Sequence, residues 1–450
     1  MMRSATRISA ACVAWALALV SWSGFPLRGQ NWDVGSRLGD YISTQSEGKL
    51  KLGIEQRVRF ESKSGNAFGK DPDCDTGLMR TRLSITYQPS KRLKFSAMVQ
   101  DARAPWYGEN APNSIRDPYD LHEGYVELLP RDKTGLGFAV GRTMLNYGEG
   151  RLIGTPQWGN MSRTYDNVRL SYSTPRARFE GLLVSQVKVR IGEFNRPVLG
   201  DRMWGLYNSF PNLWKKNLVE VYLLRRDQNR PGGFTGGSRA AGTDLLAINT
   251  LGFRFVGPLA NGVKFSIEGA AQDGKVGPAQ HRASAWFSGV SRRWTAAGKP
   301  LDVSGEYKFA SGARNPQDAS LSRTFDQLYA ANHDKFGHQD LFGWRNIHHL
   351  RSQATYAVSK TVALNCMYTH AWLASARDSL YNGSGKAIVR SANGSAGRHV
   401  GQETDLFLTF KHRHFQWGAG YGYFFPGAFI KKTTPGASPS YVYVFQTYSL

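Results

Sequence analysis

Pairs of arginines at every second position are the first residues in this chain whose type and spacing suggest chemistry. Arg57 and Arg59, then Arg80 and Arg82, stand two apart, the spacing that puts two side chains on one face of a strand. A guanidinium group donates two parallel hydrogen bonds to a carboxylate, so a row of them offers an acidic chain successive weak sites. Arg92, Lys94, Arg142, Arg169, Arg254, Lys264 and Arg282 extend the set, and acids join it at Glu55, Glu123, Glu127, Glu268, Glu306, Glu403 and Asp405. Two readings stay open. The face carries a net positive path that selects anions, or its charges pair across strands and brace them.

Other chemistry finds less support. Asp71, Asp73 and Asp75 invite a calcium loop, but Thr76 and Arg82 stand where an EF-hand needs Gly and Glu. His348 and His349 are adjacent and would point to opposite faces of a strand, while His412 and His414 lie in a short turn. No Gly-x-Ser-x-Gly, phosphate loop or dinucleotide fingerprint occurs. The expectation is no catalytic residue, no metal and no cofactor.

The elements that must hold these side chains are strands. Leu50, Leu52, Ile54, Val58 and Phe60 alternate with Lys51, Gly53, Glu55, Arg57 and Arg59, and the pattern returns from Met79, Val263 and Leu301. Charges at successive inward positions do not suit a dry core; a wet lumen accommodates them. About eighteen strands fit the chain. Short links fall at 89–91, 130–134, 174–175, 211–215, 257–261, 294–300, 359–360 and 412–414. Long ones fall at 61–77, 103–119, 143–164, 188–201, 227–246, 273–280, 311–345, 373–400 and 426–439. Short periplasmic turns alternating with long external loops are the signature of a bacterial barrel. The fold class is therefore all-β: a transmembrane antiparallel up-and-down β-barrel with both termini periplasmic. Tyr87, Tyr125, Tyr172, Trp294, Phe424 and Tyr448 are placed to form interfacial girdles.

Arg3 and Arg7 precede an apolar run from Ile8 to Trp22, too short for a spanning helix and suited to a signal peptide over 1–29, with Leu27-Arg28-Gly29 as its end. Residues 30–450 then form one barrel domain in the outer membrane. The formal net charge is +23; it fits a polyanionic partner or a basic surface tuned for solubility. Export and the strand pattern argue against nucleic acid. Cys74 and Cys366 are too few for a disulfide framework.

One stretch is more specific: Gly141-Arg142, Tyr147-Gly148-Glu149-Gly150-Arg151-Leu152-Ile153-Gly154, Trp158, Asn160, and Arg163-Thr164-Tyr165-Asp166-Asn167-Val168. It resembles the alginate-export porin family, with Tyr165 for Phe and Asn167 for Gly. Phe325-Asp326-Gln327-Leu328-Tyr329 with Asn332-His333, Phe336-Gly337 and Asp340 is also similar to that family, as are Gly401-Gln402-Glu403-Thr404-Asp405 and Phe424-Phe425-Pro426-Gly427. The resemblance implies an eighteen-stranded barrel with an electropositive lumen that passes an anionic uronic-acid polymer by diffusion. Arg142, Arg151 and Arg163 would sit at the mouth or on a fold-back loop, with Arg142 and Arg151 contacting cargo and Asp166 holding an arginine. A salt-bridged loop anchor is the competing account. Asp326, Tyr329, His333 and Asp340 are gate candidates, because loop 311–345 is long enough to enter the lumen. Expected partners are an anionic poly- or oligosaccharide, outer-membrane lipid, the assembly machinery and a periplasmic delivery protein. A general carbohydrate or small-solute porin, a barrel hydrolase and a plugged scaffold are the alternatives.

Overall fold

The computed structural model describes residues 34–107, 111–214, 216–229 and 245–450; the expected signal peptide lies outside them. A helix, α1 (Val34–Gln45), leads into the first strand. The wall begins with β1 (Leu50–Ser64), β2 (Cys74–Tyr87), β3 (Leu93–Arg103), β4 (Asp117–Leu128), β5 (Gly135–Thr143) and β6 (Tyr165–Ser173). It continues with β7 (Arg178–Lys188), β8 (Asp201–Trp214), β9 (Asn217–Gln228), β10 (Leu246–Pro258), β11 (Val263–Val276) and β12 (Ala279–Ala296). It ends with β13 (Lys299–Ala310), β14 (Ile347–Ala357), β15 (Val362–Leu373), β16 (His399–His412), β17 (Phe415–Pro426) and β18 (Ser440–Ser449). Each strand pairs antiparallel with the next, and β1 pairs with β18 from Glu55↔Ser449 to Ser64↔Ser440, closing an 18-strand barrel. Closure leaves no wall strand with an unpaired edge.

Outward positions are apolar for the reason the alternation predicts. Leu83, Ile85, Leu170, Leu183, Leu206, Leu223, Leu251, Val290, Leu350 and Leu408 are all exposed on the outer face, where lipid replaces water. Link lengths follow the expected asymmetry with one exception. β11 and β12 stay paired up to Val276↔Ala279, so the long link expected at 273–280 is a tight turn at 277–278. On the opposite rim, β12 and β13 pair up to Ala296↔Lys299, and Ala297 and Gly298 take left-handed φ of 48° and 72° in a two-residue hairpin.

Two departures from simple alternation matter for the lumen. In β4 the register jumps between Met98↔Glu123 and Val99↔Leu121, a bulge that turns Asp120 and His122 inward along with Glu123 and Glu127. On β17, Gly418, Gly420 and Gly422 all face inward. A Cβ there would come within 2.3 Å of the Phe445 ring, 2.4 Å of the Tyr443 ring and 2.4 Å of Asp405 Oδ1. These glycines let the inward side chains of β18 and β16 lie flat across the seam. Of the expected girdle rings, Tyr87, Tyr172 and Trp294 are exposed outward, but Phe424 is fully buried inside. Tyr125 also turns inward, beneath Lys94 Nζ at 5.1 Å from its ring centroid.

The barrel is not hollow. Loops 144–164 and 311–346 fold into it and pair in parallel at Ile153↔Tyr329. Leu152 O accepts from Tyr329 N at 2.8 Å, Gly150 O accepts from Ala331 N at 2.9 Å, and Gly154 N donates to Tyr329 O at 3.0 Å. Leu145, Leu152, Ile153, Phe325, Tyr329, Phe336, Phe342 and Trp344 bury against inward Leu182, Val184, Met203, Leu224 and Phe287, giving the lumen a dry core.

Candidate functional site

The site is the constriction that these two loops make, and the wall arginines explain how the first loop is held. Arg57 donates to the carbonyls of Gln157 at 2.9 Å and Gly159 at 2.8 Å. Arg80 donates to the same two carbonyls at 3.1 and 3.0 Å while gripping Glu55 at 2.6 Å. Arg59 bonds Trp158 O, pairs with Glu61 at 2.8 Å and lies 4.2 Å over the Trp158 ring. Arg82 reaches Gln100, the Gln157 side chain and Ser162. All four face inward as expected, yet all four are buried under the loop rather than open to a passing solute.

The second loop hangs on a buried ion triad. Arg226 of β9 holds Asp201 of β8 at 2.8 Å and Asp326 of the loop at 3.2 Å; Arg345 stands 3.8 Å from Asp326. Tyr329 donates to Asp201 Oδ1 at 2.7 Å. Burial alone would raise the Asp326 pKa, but the charges of Arg226 and Arg345 outweigh it and hold the carboxyl below its ordinary value. Arg163 donates to the carbonyls of Gly154, Tyr329 and Ala330, stitching the loops together. Arg151 pairs with Glu149 at 2.6 Å, stands 3.5 Å from Glu268 and lies 3.3 Å over the Phe287 ring.

The remaining gate candidates meet at the loop tips. His333 pairs with Asp340 at 2.9 Å and stacks on Trp158 with centroids 4.8 Å apart and planes 3° apart. Trp158 Nε1 donates to Tyr441, and Tyr441 donates to Glu61 at 2.7 Å. Glu403 and Asp405 project from β16 beneath this loop and accept from the backbone N–H groups of Gln339 at 3.1 Å and His338 at 3.5 Å. Gly337 is required there, because a Cβ would come within 2.4 Å of Glu403 Oε2 and its φ is +113°.

A cavity of about 350 Å³ opens beside loop 144–164. Arg169, Arg178, Glu123, Glu127, Glu180 and Glu220 line it with Tyr147 and Tyr207, whose ring centroids are 4.6 Å apart. Glu127 is tied to Lys94 at 3.1 Å, and Arg169 donates to Asn167 at 3.1 Å. Lys264 is exposed near the short-turn end of β11. Lys335, on the second loop, is pushed down from its ordinary pKa by burial, with Arg151 and Arg351 adding to the effect against Asp334 and Glu149.

Two arginines read as lumen candidates lie elsewhere. Arg142 shares its side of β5 with the exposed Leu136, Phe138 and Val140 and pairs with Asp166 at 2.7 Å. Its other donors go to the carbonyls of Leu121 at 3.3 Å and Asn195 at 2.9 Å, so it anchors the loop following β7. Arg282 shares its side of β12 with Trp286 and Val290, and buried His281 takes the inward position. Sequence reasoning also missed Arg226, Asp201, Arg345 and Arg351. Arg225 and Arg226 are adjacent, and only the register decides which of them enters the lumen. Among the described residues, no group of three or more His, Cys, Asp or Glu is arranged to hold a metal ion; Asp73 instead accepts from Gly65 N at 2.9 Å.

The sequence matches the family model for alginate export over residues 49–444. The chain belongs to the alginate export family. No curated protein matches it. The barrel of this alginate export protein is similar to solved outer-membrane channels of Pseudomonas aeruginosa. OpdO aligns with TM-score 0.60 and 9% identity over 89% of this chain and 97% of its own. OccD3 (OpdP) aligns with 0.59 and 12% over 89% and 91%. OccK2 (OpdF), solved in complex with glucuronate, aligns with 0.57 and 9% over 90% and 96%. Family and fold together make this an outer-membrane barrel of the porin type.

Proposed function

We propose that this alginate export protein passes saccharides bearing carboxylates, alginate-like polyuronates or their oligomers, by passive diffusion. The observation that carries the reading is a narrowed lumen whose cavity joins guanidinium groups at Arg169 and Arg178 to the tyrosine rings of Tyr147 and Tyr207. Arginine forks suit carboxylates, and aromatic faces suit sugar rings. The uronate found in OccK2 supports the same chemistry in a barrel of this fold. Selection then falls on the cations that border the cavity, Arg169 and Arg178, and on Lys335 of the second loop, rather than on a continuous basic wall. The hydrolase alternative has less behind it: the His333 ring of the His333–Asp340 pair is stacked on Trp158 rather than aimed at a hydroxyl.

A second reading, a general saccharide porin, is favoured by the acids. Glu123, Glu127, Glu180 and Glu220 line the same cavity and offset its cations. Planar bilayers under a salt gradient separate the two. The anionic reading expects anion selectivity and a block by oligouronate that weakens in Arg169→Ala and Lys335→Ala. Cation selectivity, or equal block by a neutral oligosaccharide of the same length, leaves only the general porin.

A further inference from the structure

A second basic site lies outside the barrel, at its long-loop rim. Ser322 of the second fold-back loop pairs in parallel with His281, alongside the start of β12 and beyond the last residue of β13. Ser322 and His281 face inward and bond each other at 3.2 Å. The next residue on each segment, Arg323 and Arg282, therefore faces outward, and both are exposed. With Arg314 they line a groove of about 590 Å³ whose floor includes Phe309 and whose one acid is Asp273. None of the three guanidinium groups takes part in an ion pair among the described residues, whereas most lumen arginines do.

Height along the wall says what this groove faces. On the outer side of β12 Trp294, Val290 and Trp286 are exposed; Ser288 stands between the last two, and Arg292 lies back over the Trp294 ring at 3.8 Å. Eight residues span roughly 27 Å of strand, which at a tilt of about 40° is close to the height of a barrel's lipid belt. Trp286 then marks the outer interface, and Arg282, four residues on, stands in the head-group layer. Three unpaired guanidinium groups around a groove at that level suit phosphate, which they can grip bidentately. We propose that Arg282, Arg314 and Arg323 bind the phosphate groups of an anionic glycolipid of the outer leaflet. Arg282 and Asp273 face each other on the outward side of the wall, so the assignment excludes a saccharide in transit as the occupant.

The test uses the full-length protein in detergent micelles, titrated by native mass spectrometry with a phosphorylated acyl-glucosamine disaccharide lipid. The same titration is run with the dephosphorylated lipid and with an oligouronate as competitor. Wild type should retain the phosphorylated lipid, and R282S/R314S/R323S should weaken retention on the order of a hundredfold. The dephosphorylated lipid should be lost from wild type to a similar degree, a comparison that needs no variant to fold. Arg293→Ser, at the opposite rim where Arg293 pairs with Asp302 at 2.7 Å, should leave retention unchanged. Equal retention of both lipids by wild type, displacement by oligouronate, or an equal loss in Arg293→Ser would overturn the assignment.

Discussion

Replacing Arg226 with Leu is the sharpest perturbation of the gate. The guanidinium is buried and serves two carboxylates at once, Asp201 on the wall and Asp326 on the loop. Removing it leaves both carboxylates buried without their main counter-charge, and Arg345 at 3.8 Å covers only the Asp326 side. Breaking a buried pair from one side costs about 3–5 kcal/mol. The wall strands pair with one another and, apart from Leu321 and Ser322 beside β12, not with loop 311–346, so this cost should fall on the docking equilibrium and raise the undocked fraction roughly two hundred- to five thousandfold. Asp326→Asn is milder, since Arg226 retains Asp201; it should cost about 1–2 kcal/mol. Hydrogen exchange of loop 311–346 and single-channel conductance in planar bilayers both read the change. In Arg226→Leu, exchange should accelerate across that loop with little change in the strands, and conductance should rise and become noisy. An Arg226→Leu channel with wild-type exchange and conductance would refute the claim that the triad holds the gate.

Other expectations concern the loop tip, the seam and the belt. Trp158→Ala removes the His333 stack and the surface under Arg59, and should raise conductance less than Arg226→Leu does. His338 is pushed down to about 4 by burial, with His333 and Arg351 adding to it, while its ring accepts from or donates to Tyr443 at 3.0 Å. Because the docked loop prefers neutral His338, its docking is complete above the ordinary histidine pKa and weakens as pH falls from about 6.5 towards 4. Conductance noise should grow over that window in wild type and less so in His338→Gln. Gly420→Val drives a side chain into the Tyr443 ring and should cost at least about 1–3 kcal/mol, visible as a lower unfolding temperature of the folded band on a gel. Leu223→Arg, on the exposed outer face of β9, should cost about 2–4 kcal/mol in urea unfolding from lipid if it lies near the bilayer midplane.

The barrel was legible because its wall obeys one local rule. Alternation at Leu50–Phe60 or Val263–Ala271 reflects water on one side and lipid on the other, and glycine- and asparagine-rich links report where the chain turns. The gate obeys no such rule. Leu152, Ile153, Phe325 and Trp344 have no period, and their burial depends on two loops meeting across the barrel. Those loops also invert the pattern where they dry the lumen. On β12 the inward residues are Ala279, His281, Ala283, Ala285 and Phe287, and the outward ones begin with Gln280, Arg282 and Ser284, which is why Arg282 reads as inward from sequence. At His122 the bulge puts inward residues on both parities, which no alternation can report. The arginines at 57, 59, 80 and 82 do face inward, but a sequence carries no sign that backbone carbonyls 77 to 102 residues away would occupy Arg57, Arg59 and Arg80.

The bridge between Ile153 and Tyr329 also dictates an order of assembly. It joins links leaving β5 and β13, nearly opposite one another in an 18-strand ring, and it closes a stretch of about 175 residues. Wall strands zip with their immediate neighbours, whereas this contact rewards the chain only after much of the wall between its two ends is in place. The barrel should therefore first exist as a wide, water-filled cylinder and acquire its constriction as a last, separate step. For a cell, the interval between those two events is a leak, and the rate of loop docking sets how long it lasts.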